Sequence, residues 1–285
     1  LNQKKRYMLS AQLSYDITDW LNISGRVRVD NTHTKYEQKL YASSNLTITE
    51  ESTQGHYTIS KPDETQTYAD VLANINKRFN DFSLVANVGA SIVNNRYEDL
   101  SYRGPIREKG IPNVFNVFDL DNTKKKARQD EWQEQTQSVF ASVEVGWKSM
   151  LYLTLTGRND WASHLANSST PCFFYPSVGL SGVISEMLTL PEFIDYMKVR
   201  GSFSSVGMPY PRNLTSPTYE YDEANQQWKP KTHYPIKDLK PERTNSWELG
   251  LDMRLFKDFS LGFSWYLANT FNQTFDPKVS VSSGY

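Results

Sequence analysis

The chain has 285 residues, 31 Lys and Arg against 32 Asp and Glu, a formal net charge of −1 and a mean hydropathy of −0.60. That balance excludes the basic face of a nucleic-acid binder, and no apolar run approaches the roughly 18 residues of a membrane-crossing helix. The 17 Tyr, 14 Phe and 7 Trp are too many aromatic side chains for a chain that never packs, which excludes disorder.

Taken in chain order, the hydrophobic pattern has period two. The basic start, Lys4-Lys5-Arg6, is not followed by the apolar core of a signal peptide, and both termini read as cuts inside a longer chain. Leu9, Ala11, Leu13 and Tyr15 alternate with Ser10, Gln12 and Ser14, and a turn is expected at 16–19. Leu21, Ile23, Gly25, Val27 and Val29 then alternate with Asn22, Ser24, Arg26, Arg28 and Asp30. After a long connection near 31–65, Ala69 to Phe79 and Phe82 to Ile92 form two more alternating runs around Asn80-Asp81. A second long connection near 95–134 leads to Val139–Trp147 and Leu151–Trp161, joined by Lys148-Ser149. A shorter connection near 162–172 precedes a strand over 174–184, and 190–196 reads as a short helical or irregular link. Val199, Gly201 and Phe203 follow, then a long connection near 207–242. The pairs Trp247–Leu255 and Leu261–Leu267 close the series around Lys257-Asp258.

These are about ten strands of roughly 9–14 residues, longer than the usual 5–6 and long enough to cross a bilayer when tilted. Short and long connections alternate, as in membrane barrels with turns on one rim and loops on the other. Loops this long are uncommon in soluble domains. The expected fold class is therefore all-β: a segment of a large antiparallel up-and-down transmembrane β-barrel, with long loops on one rim. In such a barrel half of every strand faces a polar lumen, which reconciles a low mean hydropathy with a membrane location. Aromatics sit at strand ends, as headgroup-level rings should: Tyr15, Trp20, Phe79, Phe82, Trp147, Phe256 and Phe259 flank the short turns, and Tyr97, Trp161 and Phe174 lie near the opposite ends. A soluble β-sandwich with one wet face would also alternate, with shorter strands and more even loops.

No catalytic constellation or metal set stands out, so the chain reads as a non-enzyme without a cofactor. His33, His56, His164 and His233 fall in expected loops, where solvated histidines are the default. Cys172 cannot pair internally and has no nucleophile signature around it. Asp119-Leu-Asp121-Asn122-Thr123 lacks the Gly and Glu of a calcium loop, and Lys124-Lys-Lys126 with Arg128 reads as a solvated basic run. Two groups remain as candidate binding residues. Tyr97, Tyr102, Trp132, Tyr210, Tyr219, Tyr221 and Trp228 are expected in the long loops, where aromatic faces suit sugar rings and protein interfaces alike. Arg26, Arg28, Glu144, Arg158, Asp160, Arg200, Glu248, Asp252 and Arg254 are expected to face the lumen and to pair with one another.

Several segments carry a family resemblance: Leu151-Tyr-Leu-Thr-Leu-Thr-Gly-Arg-Asn-Asp-Trp161, Phe174-Tyr-Pro-Ser-Val-Gly-Leu-Ser181, Met197-Lys-Val-Arg-Gly-Ser-Phe203, and Leu239-Lys-Pro-Glu-Arg243 with Ser246-Trp-Glu-Leu-Gly-Leu-Asp252. From about residue 135 to 270 the chain resembles the SusC/RagA family of TonB-dependent outer-membrane transporters. The resemblance implies a plugged barrel of about 22 strands, of which residues 1–285 would be a part, with the plug and the remaining strands elsewhere. It also implies a SusD-like surface lipoprotein as partner, energy from the TonB complex, and import of oligosaccharides or peptides across the outer membrane of a Gram-negative bacterium of the Bacteroidetes type. A passive porin-like channel and a soluble or secreted carbohydrate-binding β-protein are the alternatives.

Overall fold

The computed structural model describes residues 1–166, 168, 171–208, 219–222, 227–230, 240 and 242–273. Thirteen strands are present among them: β1 (Asn2–Thr18), β2 (Leu21–Leu40), β3 (His56–Ser60), β4 (Asp63–Phe79), β5 (Phe82–Pro105), β6 (Lys126–Trp147), β7 (Leu151–Ala162), β8 (Cys172–Val183), β9 (Ile194–Met208), β10 (Tyr219–Asp222), β11 (Gln227–Pro230), β12 (Glu242–Leu255) and β13 (Phe259–Phe271). The helical content among the described residues is one turn, α1 (Ile184–Met187), and two short 3₁₀ turns at Val117–Asp119 and Ser163–Leu165. Eleven strands form one sheet in the order β1-β2-β3-β5-β6-β7-β8-β9-β12-β13, with β4 also pairing with β2 and β5. Neighbours in the sheet are neighbours in the chain, so the topology is up-and-down. β10 and β11 form a separate two-stranded ribbon.

Two compact units are distinguishable. The first comprises Leu1–Ala11, Arg26–Ala69 and Val93–Gln135; the second comprises Gln12–Gly25, Asp70–Ile92 and Thr136–Tyr285.

In the second unit the period-two pattern becomes two chemically opposite faces. Across the β7–β8–β9–β12–β13 ladders, Leu153 faces Leu180, Leu180 faces Gly201, Gly201 faces Leu249 and Leu249 faces Trp265. One residue away, Thr154 faces Gly179, Gly179 faces Ser202, Ser202 faces Glu248 and Glu248 faces Tyr266. The apolar face is bare: Leu155, Leu180, Trp247, Leu249, Leu261 and Phe263 are all exposed. A sandwich would bury this face against a second sheet. A contiguous apolar surface of this extent is what a bilayer covers. The short turns fall at or beside the expected places, and they use left-handed backbone at Asn80 (φ 50°), Lys148 (φ 51°), Ser149 (φ 59°), Phe256 (φ 51°) and Lys257 (φ 64°).

In the first unit the strands overrun the expected loops. The connection expected at 31–65 shrinks to 41–55, and that expected at 95–134 shrinks to 106–125. The apolar alternation stops near Val29, Ala69 and Ile92, but the ladder does not need it. Backbone donors and acceptors pair regardless of side chain, and polar residues are acceptable on both faces of a strand that stands in water. β3 and β4 share one slot between β2 and β5, interrupted at Lys61-Pro62. Proline has no N–H to give the ladder. Its carbonyl still accepts from Thr34 (2.9 Å), and the Asp99 carboxylate accepts from Ser60 Oγ (2.9 Å) and the Lys61 N–H (3.0 Å), so a side chain supplies the rung at Lys61, beside the break.

The two shortened loops of this unit pack on each other. Ile106 and Leu120, each 1% exposed, pair as an isolated antiparallel bridge. Ser52 Oγ donates to the Ile106 carbonyl (2.8 Å), the Ile106 N–H donates to Gly55 (2.9 Å), and the Ala42 N–H donates to Asn113 Oδ1 (2.7 Å). Gly55 has φ 112°, and a Cβ there would meet the Leu40 carbonyl oxygen at 2.6 Å, so glycine is required at the entry to β3.

Candidate functional site: a two-faced wall with paired charges

The expected polar residues do share the polar parity of their strands. In the second unit Arg200 on β9 lies between two carboxylates of β12: Nη1 is 2.5 Å from Asp252 and Nε is 3.6 Å from Glu248, while Nη2 donates to Ser264 Oγ of β13 at 2.9 Å. Arg158 on β7 donates to Asp160 (2.7 Å) and to Ser138 Oγ (2.9 Å), and stands 5.7 Å from the Phe140 ring centroid. Phe140 in turn lies over Gly89 of β5, where a Cβ would meet the ring at 2.8 Å. Glu144 accepts from Thr154 Oγ1 (3.3 Å), and Arg254 faces Tyr196 and Ser260 across its two ladders. Beside Arg200 and Glu248 lies a small cavity of about 210 Å³ floored by Thr154, Gly179 and Ser202. The wall presents alternating charged and small hydroxyl residues, a surface rich in hydrogen-bond donors and acceptors.

In the first unit the arginines meet an aromatic ring and an amide. Arg26 and Arg28 both approach the Tyr68 ring, at 5.2 and 5.5 Å, and Arg28 donates to Gln66 Oε1 at 3.2 Å. Gln66 passes the chain on to Asn95 Oδ1 (2.9 Å). Arg6 on β1 forms a two-pronged pair with Asp30, with Nε at 2.8 Å from Oδ1. Arg6, Asp30, Gln66 and Asn95 line a cavity of about 400 Å³, with Lys4, Thr32, Glu64, Thr65, Arg96 and Trp132 completing it. Arg6, Asp30, Gln66 and Asn95 were not singled out from sequence, because only the register of four strands brings them together.

The aromatic candidates divide. Tyr97, Tyr102 and Trp132 were expected in loops but lie on β5 and β6, because both strands continue past the apolar span. Tyr97 and Trp132 stack with centroids 5.4 Å apart and planes 11° from parallel, and both are half-exposed. Tyr102 faces Ile59 across the β3–β5 ladder. Tyr221 and Trp228 face each other across the β10–β11 ribbon, edge to face at 5.2 Å, and Tyr219 is exposed at its end. Tyr210 lies outside the described residues.

Two of the histidines, His33 and His56, lie on strands rather than in the expected loops. His33 is on β2, 3.3 Å from Asp63, and His164 is in the turn after β7. His56 begins β3 and is only 6% exposed, with Nε2 3.7 Å from Glu50. Burial pushes its imidazole below the ordinary value, against the opposing pull of Glu50. His233 lies outside the described residues. The acidic stretch Asp119–Thr123 is committed to its own loop: Asp119 binds Arg107 (2.7 Å) and Asp121 accepts from the N–H (2.8 Å) and Oγ1 (2.6 Å) of Thr123. Cys172 is half-buried at the start of β8, opposite Trp161.

The profile of the family described as TonB dependent receptor-like, beta-barrel, matches residues 1–284. No curated protein sequence matches. Among solved structures, the RagAB peptide transporter aligns over 100% of this chain and 32% of its own, at TM-score 0.79 and 15% identity. The siderophore receptor PiuA from Acinetobacter baumannii aligns over 93% of this chain and 40% of its own, at TM-score 0.55 and 14% identity. The ferric preacinetobactin receptor BauA from the same organism aligns over 93% and 37%, at TM-score 0.51 and 16% identity. At these identities the likeness is one of fold. The chain spans about a third of the length of the RagAB chain it matches.

Proposed function

The chain belongs to the TonB-dependent receptor-like β-barrel family of the Gram-negative outer membrane, and from that membership we propose that it supplies part of the wall of a TonB-energised importer. Its apolar face meets lipid and its polar face meets the solute. The solute is an oligosaccharide or a peptide, delivered through a SusD-like surface lipoprotein. The observation that carries this reading is the polar cavity of the first unit: a guanidinium–carboxylate pair, two side-chain amides and the half-exposed Trp132 ring, which together offer hydrogen bonds and a stacking surface. Oligosaccharides suit that mixture, and the fold shared with a peptide transporter supports peptides as the second class.

The test uses the full-length receptor in its own outer membrane. Uptake of labelled maltohexaose, xylohexaose and a tryptic peptide pool is followed with and without TonB, and again with Trp132→Ala. The proposal expects uptake of one class to stop without TonB and to fall about tenfold in the variant, as one lost stacking contact implies. Uptake that continues without TonB means a passive channel.

A further inference from the structure

We propose that the short-turn rim of the second unit binds the phosphate headgroup of a membrane glycerophospholipid through Lys77 and Lys148. Lys77 occupies the apolar parity of β4, between Ile75 and Phe79, where every preceding residue of that parity, from Ala69 to Ile75, is aliphatic. A lysine on the lipid-facing side costs several kcal/mol at the bilayer midplane but almost nothing near the interface, so Lys77 marks the headgroup level. Its Nζ stands 4.7 Å from the Trp20 ring and 5.2 Å from the Phe79 ring, and no carboxylate pairs with it among the described residues. The ammonium is thus held in place by rings that do not neutralise it.

The neighbouring turn repeats the device. Lys148 Nζ is 5.1 Å from the Trp147 ring, and Trp147 ends the apolar parity of β6. The two turns are joined directly, since the Lys148 N–H donates to the Asp81 carbonyl at 2.7 Å. Lys148 has a carboxylate, Asp81, at 3.8 Å, but both side chains are about half exposed, so a phosphate can share the cation. Trp20, Phe79 and Trp147 are themselves exposed, which leaves ring edges open to glycerol and upper acyl carbons. Two anchored cations above a continuous apolar face match an anion that carries acyl chains. The inference rests on reading that face as lipid-covered.

The experiment uses the full-length receptor extracted in mild detergent and exchanged against palmitoyl-oleoyl-phosphatidylglycerol, with dioleoylglycerol as the headless control. Native mass spectrometry reads the lipid retained. Wild type is expected to retain phosphatidylglycerol and release the diacylglycerol. Lys77→Gln with Lys148→Gln is expected to weaken retention roughly tenfold, and the Lys77→Arg, Lys148→Arg pair to restore it. Equal retention of both lipids, or of phosphatidylglycerol by the Gln variant, overturns the proposal while the protein still fractionates with the outer membrane. Recovery of the receptor from the soluble fraction instead overturns the lipid-facing reading itself, and the proposal with it.

Discussion

Arg200 crosses directly over Gly250, the residue it faces in the β9–β12 ladder: a Cβ on Gly250 would stand 2.5 Å from Arg200 Nε. The absent side chain is what lets the guanidinium lie flat between Glu248 and Asp252 and reach Ser264 on the next strand. Gly250→Ala is expected to lift Arg200 away and loosen both ion pairs. The groups are more than a third exposed, so the cost is about 1 kcal/mol. It shows as a lower temperature for loss of the folded, SDS-resistant band of the full-length receptor. In a double-mutant cycle, Asp252→Asn loses most of its effect once Gly250→Ala is present.

Gly89 makes the harsher case. A Cβ there would meet both the Val71 carbonyl oxygen at 2.7 Å and the Phe140 ring at 2.8 Å, and backbone cannot swing aside as an arginine can. Gly89→Val should cost about 1–3 kcal/mol and release Phe140 from Arg158. A larger drop in the same melting temperature than for Gly250→Ala is the expected reading.

Glu37 and Tyr57 stand beyond the apolar span, in the first unit. The Tyr57 hydroxyl donates to Glu37 Oε1 at 2.7 Å, and this bond, followed by Lys35, holds the carboxyl below its ordinary range. Burial, with the carboxylate beside it, pushes the Tyr57 phenol up to about 12. A carboxyl with a lowered folded pKa contributes stability that is complete above its unfolded value of 4.5 and is lost as pH falls through the folded value. Tyr57→Phe should therefore cost about 2 kcal/mol at neutral pH, and the gap to wild type should narrow below pH 4.5. Denaturant titrations of the full-length receptor at several pH values measure it.

The packed loops depend on very few side chains. Ile106→Ala or Leu120→Ala opens a cavity in a core with almost no other members, at about 2–4 kcal/mol. The ladder below should persist, so the expected signature is local: faster tryptic cleavage at Lys124 and Lys125 with the barrel band intact.

The strands were legible wherever one face had to be apolar. Trp247, Leu249, Leu251 and Met253 announced β12 and its parity, and the polar partners Glu248 and Asp252 followed from it. The outer halves of β2, β5 and β6 were not legible. Residues such as those from Arg128 to Glu131 are polar on both sides, and a strand whose two faces are both wet leaves no periodic trace. Tyr97 and Trp132 were visible as aromatic residues, but their stacking is a matter of register between strands 35 residues apart in sequence. The same holds for Arg6 with Asp30 and for Arg200 with Gly250. Each relation is written in the pairing of strands rather than in spacing along one of them.

The rung that Asp99 supplies beside Pro62 has a consequence for inheritance. Hydrogen bonds between peptide groups survive nearly any substitution, which lets such a wall drift far in sequence while its ladder stands. At Lys61 that immunity ends, because the acceptor there belongs to a single codon. A change at residue 99 takes away the acceptor of the Lys61 N–H, so here drift in sequence reaches the ladder itself.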